Sequence, residues 1–161
     1  MKKDANKLKK QLDSYIENGY LDIHSFDNPE DEASEALINL FAVDEALCEQ
    51  YCKLILESPG VGDAFLDSGC LLHLFDLNKE YGLNYVRKNV LSMAAPVLGA
   101  AMIGLFEYSN TPFRDHFSAE LITNVKKRYD ELVSEDDFTK ELLDSRYSLF
   151  EKEFLISKEP I

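Results

Sequence analysis

Basic residues are what this sequence has least of over a long stretch. Between residues 11 and 78, Lys53 is the single lysine or arginine. Residues 11–80 carry 16 acids against two bases, Lys53 and Lys79, and so hold nearly all of the formal charge of -13. A field of that sign repels nucleic acid and anionic membranes and attracts basic partners. Tryptophan is absent altogether; ten Phe and eight Tyr supply the bulky core material instead. Cysteine is scarce as well, and three residues, an odd number, do not make a disulfide framework. The opening stretch "MKKDANKLKKQLDSY" has charge with no apolar run after it, so it is not read as a secretory signal. A reducing, cytoplasmic setting is the expectation.

Catalytic signatures are missing too. No H-E-x-x-H, G-x-S-x-G or Walker-type glycine-rich loop occurs. Gly60-Val61-Gly62 follows a helical pattern rather than a strand and reads as a turn. The longest uncharged run is residues 89–106, whereas a membrane span needs about 20 predominantly apolar residues. Asn89, Ser92, Pro96, Gly99 and Gly104 dilute that run. Its small residues let neighbouring helices approach closely, so a central core helix is expected there rather than a span.

What the sequence does have is helical spacing almost throughout. Leu8, Leu12 and Ile16 recur every four residues before a stop at Asn18-Gly19. "YLDIHSFD", with Leu21, Ile23 and Phe26, reads as an extended connector. Asn28-Pro29 starts a second helix with Ala33, Leu37, Leu40 and Phe41 on one face. Asp44 would spoil that face, so it is read as the cap of a third helix running to about Glu57, with Leu47, Cys48, Tyr51, Leu54 and Ile55 inward. "SPGVGD" ends it.

A short helical turn at residues 64–66 should lead into "GCLLHLFDLNKEYG", with Leu71, Leu74, Phe75 and Tyr81 inward and Gly82 as its cap. Pro96 should kink or divide the next helix. Thr111-Pro112 should open a helix carrying Phe113, Phe117, Leu121, Val125 and Tyr129. Ser134 with Asp137 resembles a capping box ahead of a stripe of Phe138, Leu142, Phe150 and Phe154. The expectation is therefore an all-α single domain over residues 1–161. It has about seven or eight helices packed as antiparallel hairpins, stacked in the HEAT-like manner as a variant. Residues 1–28 form the first helix and connector, and residues 157–161 a tail.

Several clusters could carry chemistry. Cys48, Cys52, Cys70 and His73 supply the ligand types of a zinc site, but each cysteine has apolar neighbours and free cysteine is commonly core material, so no metal is expected. The carboxylate pairs Asp63/Asp67 and Asp76/Glu80 lie one helical turn apart, a spacing that arises by chance among 30 acids. Neither cofactor nor enzymatic activity is expected. The basic cluster Lys126-Lys127-Arg128 is read as complementing the end of its helix.

The acids themselves remain. Glu30, Asp31 and Glu32, and then Asp44 and Glu45, suit helix starts, where the dipole favours negative charge. Glu35, Glu49, Asp63 and Asp67 have no such account, although Glu49 can pair with Lys53 one turn on. A partner-binding surface is accordingly expected at Glu32, Glu35, Glu45, Glu49, Asp63 and Asp67.

The acidic helices over residues 28–57, the small-residue segment "MAAPVLGAAMIGLFEYSNTPFRDHF" and the helical remainder resemble the all-helical immunity proteins of bacterial toxin–immunity systems, contact-dependent inhibition included. The resemblance implies one cognate protein toxin, often a nuclease, bound in the cytoplasm. It assigns no binding residue. The alternative is a helical adaptor that holds another protein through an apolar groove.

Overall fold

The computed structural model describes residues 5–21 and 28–156. The connector residues Ile23, His24 and Phe26, the first lysines and the tail lie outside them. Among the described residues the chain is all-α, with eight α-helices and no strand. Two compact units divide it, Met1–Lys79 and Glu80–Ile161.

The first unit holds α1 (Ala5–Asn18), α2 (Pro29–Val43), α3 (Glu45–Glu57) and α4 (Ala64–Leu77). α1 packs on α2, and α2 packs on both α3 and α4. Leu8, Leu12 and Tyr15 bury the inner face of α1, so Tyr15 takes the place expected for the half-buried Ile16. Gly19 follows at a φ of 82°, a left-handed conformation that suits glycine just past a helix end.

Local chemistry sets the next boundaries as expected. Asn28 Oδ1 accepts the Asp31 N–H at 2.7 Å, with Pro29 in the first helical turn. Asp44 serves two helices: its N–H donates to Leu40 O, closing α2, and its Oδ1 accepts the Leu47 N–H at 3.0 Å, opening α3. Ala33, Ala36, Leu37 and Leu40 face the core from α2, and Cys48, Tyr51, Cys52 and Ile55 from α3. Leu54 does not; it lies 43% exposed, because the buried arc of α3 is centred on the Cys48–Cys52–Ile55 row.

Two expectations fail at α4. Residues 64–66 are its first turn rather than a separate one, and it runs unbroken to Leu77. Asn78 ends it, donating its N–H to Leu74 O. Gly82 is therefore not a cap but a buried residue inside the next helix.

The second unit holds α5 (Lys79–Asn89, its first residue at the boundary), α6 (Ala95–Glu107), α7 (Ala119–Glu135) and α8 (Asp137–Phe150). Short 3-10 turns lie at Val90–Ser92 and Pro112–His116, and a π turn at Glu151–Leu155. Pro96 divides the long uncharged run by starting α6 rather than kinking it, since a first-turn proline loses no helical hydrogen bond. α6 is the core helix of this unit: Val97, Leu98, Gly99, Ala100, Ala101, Met102, Gly104 and Leu105 are all buried. It packs against α7 and α8, and a Cβ on Gly99 would come within 2.6 Å of Arg146 Nη1 and 3.2 Å of Leu143 Cδ2. No described helix is long and apolar enough to cross a membrane.

Three expectations for the C-terminal helices are corrected. Thr111-Pro112 opens only a 3-10 turn, and Ser118 starts α7 by accepting the Leu121 N–H at 3.1 Å. Ser134 lies within α7 and donates to Glu131 O, while Asp136 caps α8 through Phe138 N–H at 2.9 Å. The buried row of α8 is Leu143, Tyr147 and Phe150; Phe138 and Leu142 face outward. The Tyr147 ring stacks on Tyr129 of α7 at 3.5 Å, which fixes that face inward.

Candidate functional site

The acidic candidates all belong to the first unit, and its packing decides which of them meet. Glu49 on α3 pairs with Lys53 at 2.8 Å and accepts from Asn78 Nδ2 at 3.4 Å. The Lys53 hydrogen bond holds its carboxyl below the usual range. Asn78 caps the C-terminal end of α4, and Glu49 lies in the first turns of α3, so α3 and α4 run antiparallel about the 58–63 turn. Asp63 caps α4 at the opposite end, accepting the Leu66 N–H at 2.8 Å. From Asp67 to Asn78 the helix rises about 16 Å. Glu49 and the Asp63/Asp67 pair therefore occupy opposite ends of one helical hairpin.

The Asp63 end gathers more charge. Tyr15 of α1 stands near it, close enough to feel the charges of Glu30, Asp63 and Asp67. Burial, and then the carboxylates of Glu30, Asp63 and Asp67, push its pKa up to about 12. Asp67 is half-buried, and its Oδ1 has no hydrogen-bond partner. Burial raises its carboxyl to about 6, with the Asp63 charge adding to the effect. Gly62 holds a φ of 80°, and a Cβ there would sit 3.0 Å from Asp67 Oδ1. Thus Glu30 and Tyr15, neither singled out by spacing, belong with Asp63 and Asp67.

The remaining candidates lie on α2 and the start of α3. Glu32 is half-buried in the first turn of α2, while Glu35 and Glu45 are exposed. No ion pair holds any of these three among the described residues. The six acids do not form one compact patch; Asp63 and Asp67 stand at one end of the unit and Glu45 and Glu49 at the other. A further, partly buried contact joins α1 to α3: Tyr51 donates to Asp13, and that hydrogen bond, helped by Lys9, lowers the Asp13 carboxyl below its usual value. Burial and the Asp13 charge push the Tyr51 phenol up.

Cys48, Cys52 and Cys70 are completely buried and free. Cys48 touches Cys52, and Cys52 touches Cys70. Cys48 Sγ also donates to Leu37 O at 3.5 Å. Contact with Cys52 and burial push the Cys48 thiol up, so it stays protonated and behaves as a small apolar residue. His73 packs on Phe41 at 5.4 Å, and burial lowers its pKa. No group of three or more His, Cys, Asp or Glu among the described residues could hold a metal ion.

The basic cluster sits mid-helix rather than at the end of α7. Lys126 pairs with Asp130 at 2.6 Å, and Arg128 holds Glu131 and the Met93 carbonyl. Two of its three charges, Lys126 and Arg128, are thus engaged within the second unit. No family model matches the chain, and no curated protein matches it.

Proposed function

We propose that the chain is an inhibitor of the immunity type, which binds and neutralises a basic cognate toxin, a nuclease above all, through the acidic first unit. The observation that carries this reading is where the charge falls. Residues 1–79, one compact unit, hold 16 acids and seven bases, and five of those bases lie in the first ten residues. Asp31, Glu35, Glu45, Asp63 and Asp76 all reach solvent. A surface of that kind competes with phosphate for a positive groove and steers the encounter, giving association up to ~10⁸–10⁹ M⁻¹s⁻¹ at low salt. Acids spread over both ends of the unit suit long-range steering better than a single anchoring contact. Direct binding of nucleic acid or of an anionic membrane runs against the same field.

The test is charge reversal of Glu32, Glu35, Glu45 and Glu49 to Lys, read by protection of cells that express the partner toxin. Loss of protection with folding intact is expected; full protection removes the acidic unit from the account.

A helical adaptor is the second reading, and one observation favours it. Phe138 (64% exposed), Leu142 (37%) and Leu149 (47%) are spaced by four and then seven residues, so they share one outer face of α8. If Phe138→Ser with Leu142→Ser abolishes partner capture while the acidic reversals do not, the adaptor reading holds instead.

A further inference from the structure

The second unit has a cleft of about 190 Å³ lined by Glu80, Leu83, Asn84, Arg87, Phe113 and His116. That is below the roughly 300–1,000 Å³ of a drug-sized pocket and equals about six waters of liquid volume. It takes a molecule of amino-acid size. Leu83 and Phe113 are buried and form its apolar floor. Its polar groups all come from α5 and the 3-10 turn after α6.

Arg87 reaches solvent, and two hydrogen bonds orient it before any ligand arrives. Its Nη1 donates to Asn84 Oδ1 at 3.1 Å, and its Nη2 donates to the His116 carbonyl. A guanidinium has five N–H donors, so three remain without an acceptor among the described residues. Glu80 lines the same cleft, and its carboxylate has neither a hydrogen bond nor an ion pair among the described residues. The two opposite charges do not pair with each other. Seven residues separate them on α5, a rise of about 10 Å. The ties from Arg87 to Asn84 and His116 keep the guanidinium on its own side.

We propose that this cleft binds a free aliphatic α-amino acid, with its carboxylate on Arg87, its ammonium on Glu80 and its side chain over Leu83 and Phe113. A simple carboxylic acid would meet the Glu80 charge, and a simple amine would meet Arg87; a zwitterion satisfies both. A pinned arginine loses little freedom on accepting a carboxylate, which is the condition under which such a contact contributes to affinity. All six lining residues belong to the second unit.

The test is a titration of the full chain with L-leucine, followed through backbone amide NMR signals, with L-leucine methyl ester and N-acetyl-L-leucine as comparators. The ester lacks the carboxylate and the acetyl derivative lacks the ammonium. Saturable shifts at Leu83, Arg87 and His116 are expected, with a Kd below about 10 mM. Each comparator should bind at least about tenfold more weakly. Arg87→Gln and Glu80→Gln should each weaken leucine by a similar factor. Glu80→Gln leaves the Arg87 ties intact, and the comparators need no variant at all, so a folding defect in one protein does not decide the result. Absence of saturable shifts, or equal binding of leucine and its ester, overturns the proposal.

Discussion

Asp67 is the residue whose surroundings differ most from those of an ordinary surface acid. Its folded pKa of about 6 lies above the ordinary aspartate value of 3.8, so folding favours the protonated form. The charged form therefore costs stability, and the sign follows. Below pH 3.8 the carboxyl is neutral folded or unfolded, and the cost is absent. It grows as pH rises from 3.8 to about 6 and is complete above that. For a half-buried group still reached by solvent the cost is on the order of 1 kcal/mol. Asp67→Asn should thus raise Tm by about 2–4 °C at pH 7.5, and the gain should vanish at pH 3.5; thermal melts of both proteins across that range check it. Next to Asp67, Gly62→Ala should destabilise by ~1–2 kcal/mol from its left-handed φ alone, with a further cost from the tight approach to Asp67 Oδ1. Gly60→Ala has a φ of 82° but open space around it, so it should lose less. Urea denaturation of the pair separates the two contributions.

At the scale of the helices, boundaries set by covalent or capping chemistry could be read from the sequence. Asn28-Pro29, Asp44 and Pro96 each act on their immediate neighbours, and each falls where its local chemistry requires. Asp44 offers a direct check: Asp44→Ala should cost ~1 kcal/mol through the lost Leu47 cap, and Asp44→Asn should retain most of it. Other ends were misread: Gly82 ends no helix, Thr111-Pro112 opens only a 3-10 turn, and Ser134 lies inside α7. Faces were misread as well. Spacing admitted both Ile16 and Tyr15 on α1, and both the Phe138–Leu142 row and the Leu143–Tyr147 row on α8; packing chose the second of each. In α8 the Tyr129–Tyr147 stack decides it, a contact between two helices that no single helical pattern contains. The break between α4 and α5 was hidden because Asn78 ends a helix whose pattern runs on through Tyr81. α6 depends on its small residues. Gly99→Leu should drive side chain into Arg146 and Leu143 and cost ~1–3 kcal/mol, seen as a lowered denaturation midpoint.

For the whole molecule, the charge asymmetry was legible from composition alone, and it falls on one compact unit. What composition did not reveal is the arrangement within that unit: Glu49 meets Asn78, while Asp63 and Asp67 lie near Tyr15, because the α3–α4 hairpin carries them to opposite ends. That division bears on mechanism, since separated acids act mainly on the rate of encounter. The decisive measurement is the association rate constant for the cognate toxin's basic domain as salt is raised from about 50 to 500 mM, where the Debye length falls severalfold. A steep fall is expected for the natural chain. The Glu32, Glu35, Glu45 and Glu49 reversals should lower the rate at least about tenfold at low salt and flatten its salt dependence. Four matching reversals at Glu135, Asp137, Glu141 and Asp144 in the second unit, all exposed, should leave the rate near its natural value. A rate indifferent to salt, or lowered equally by both sets of reversals, would contradict the acidic first unit as the surface that meets the toxin.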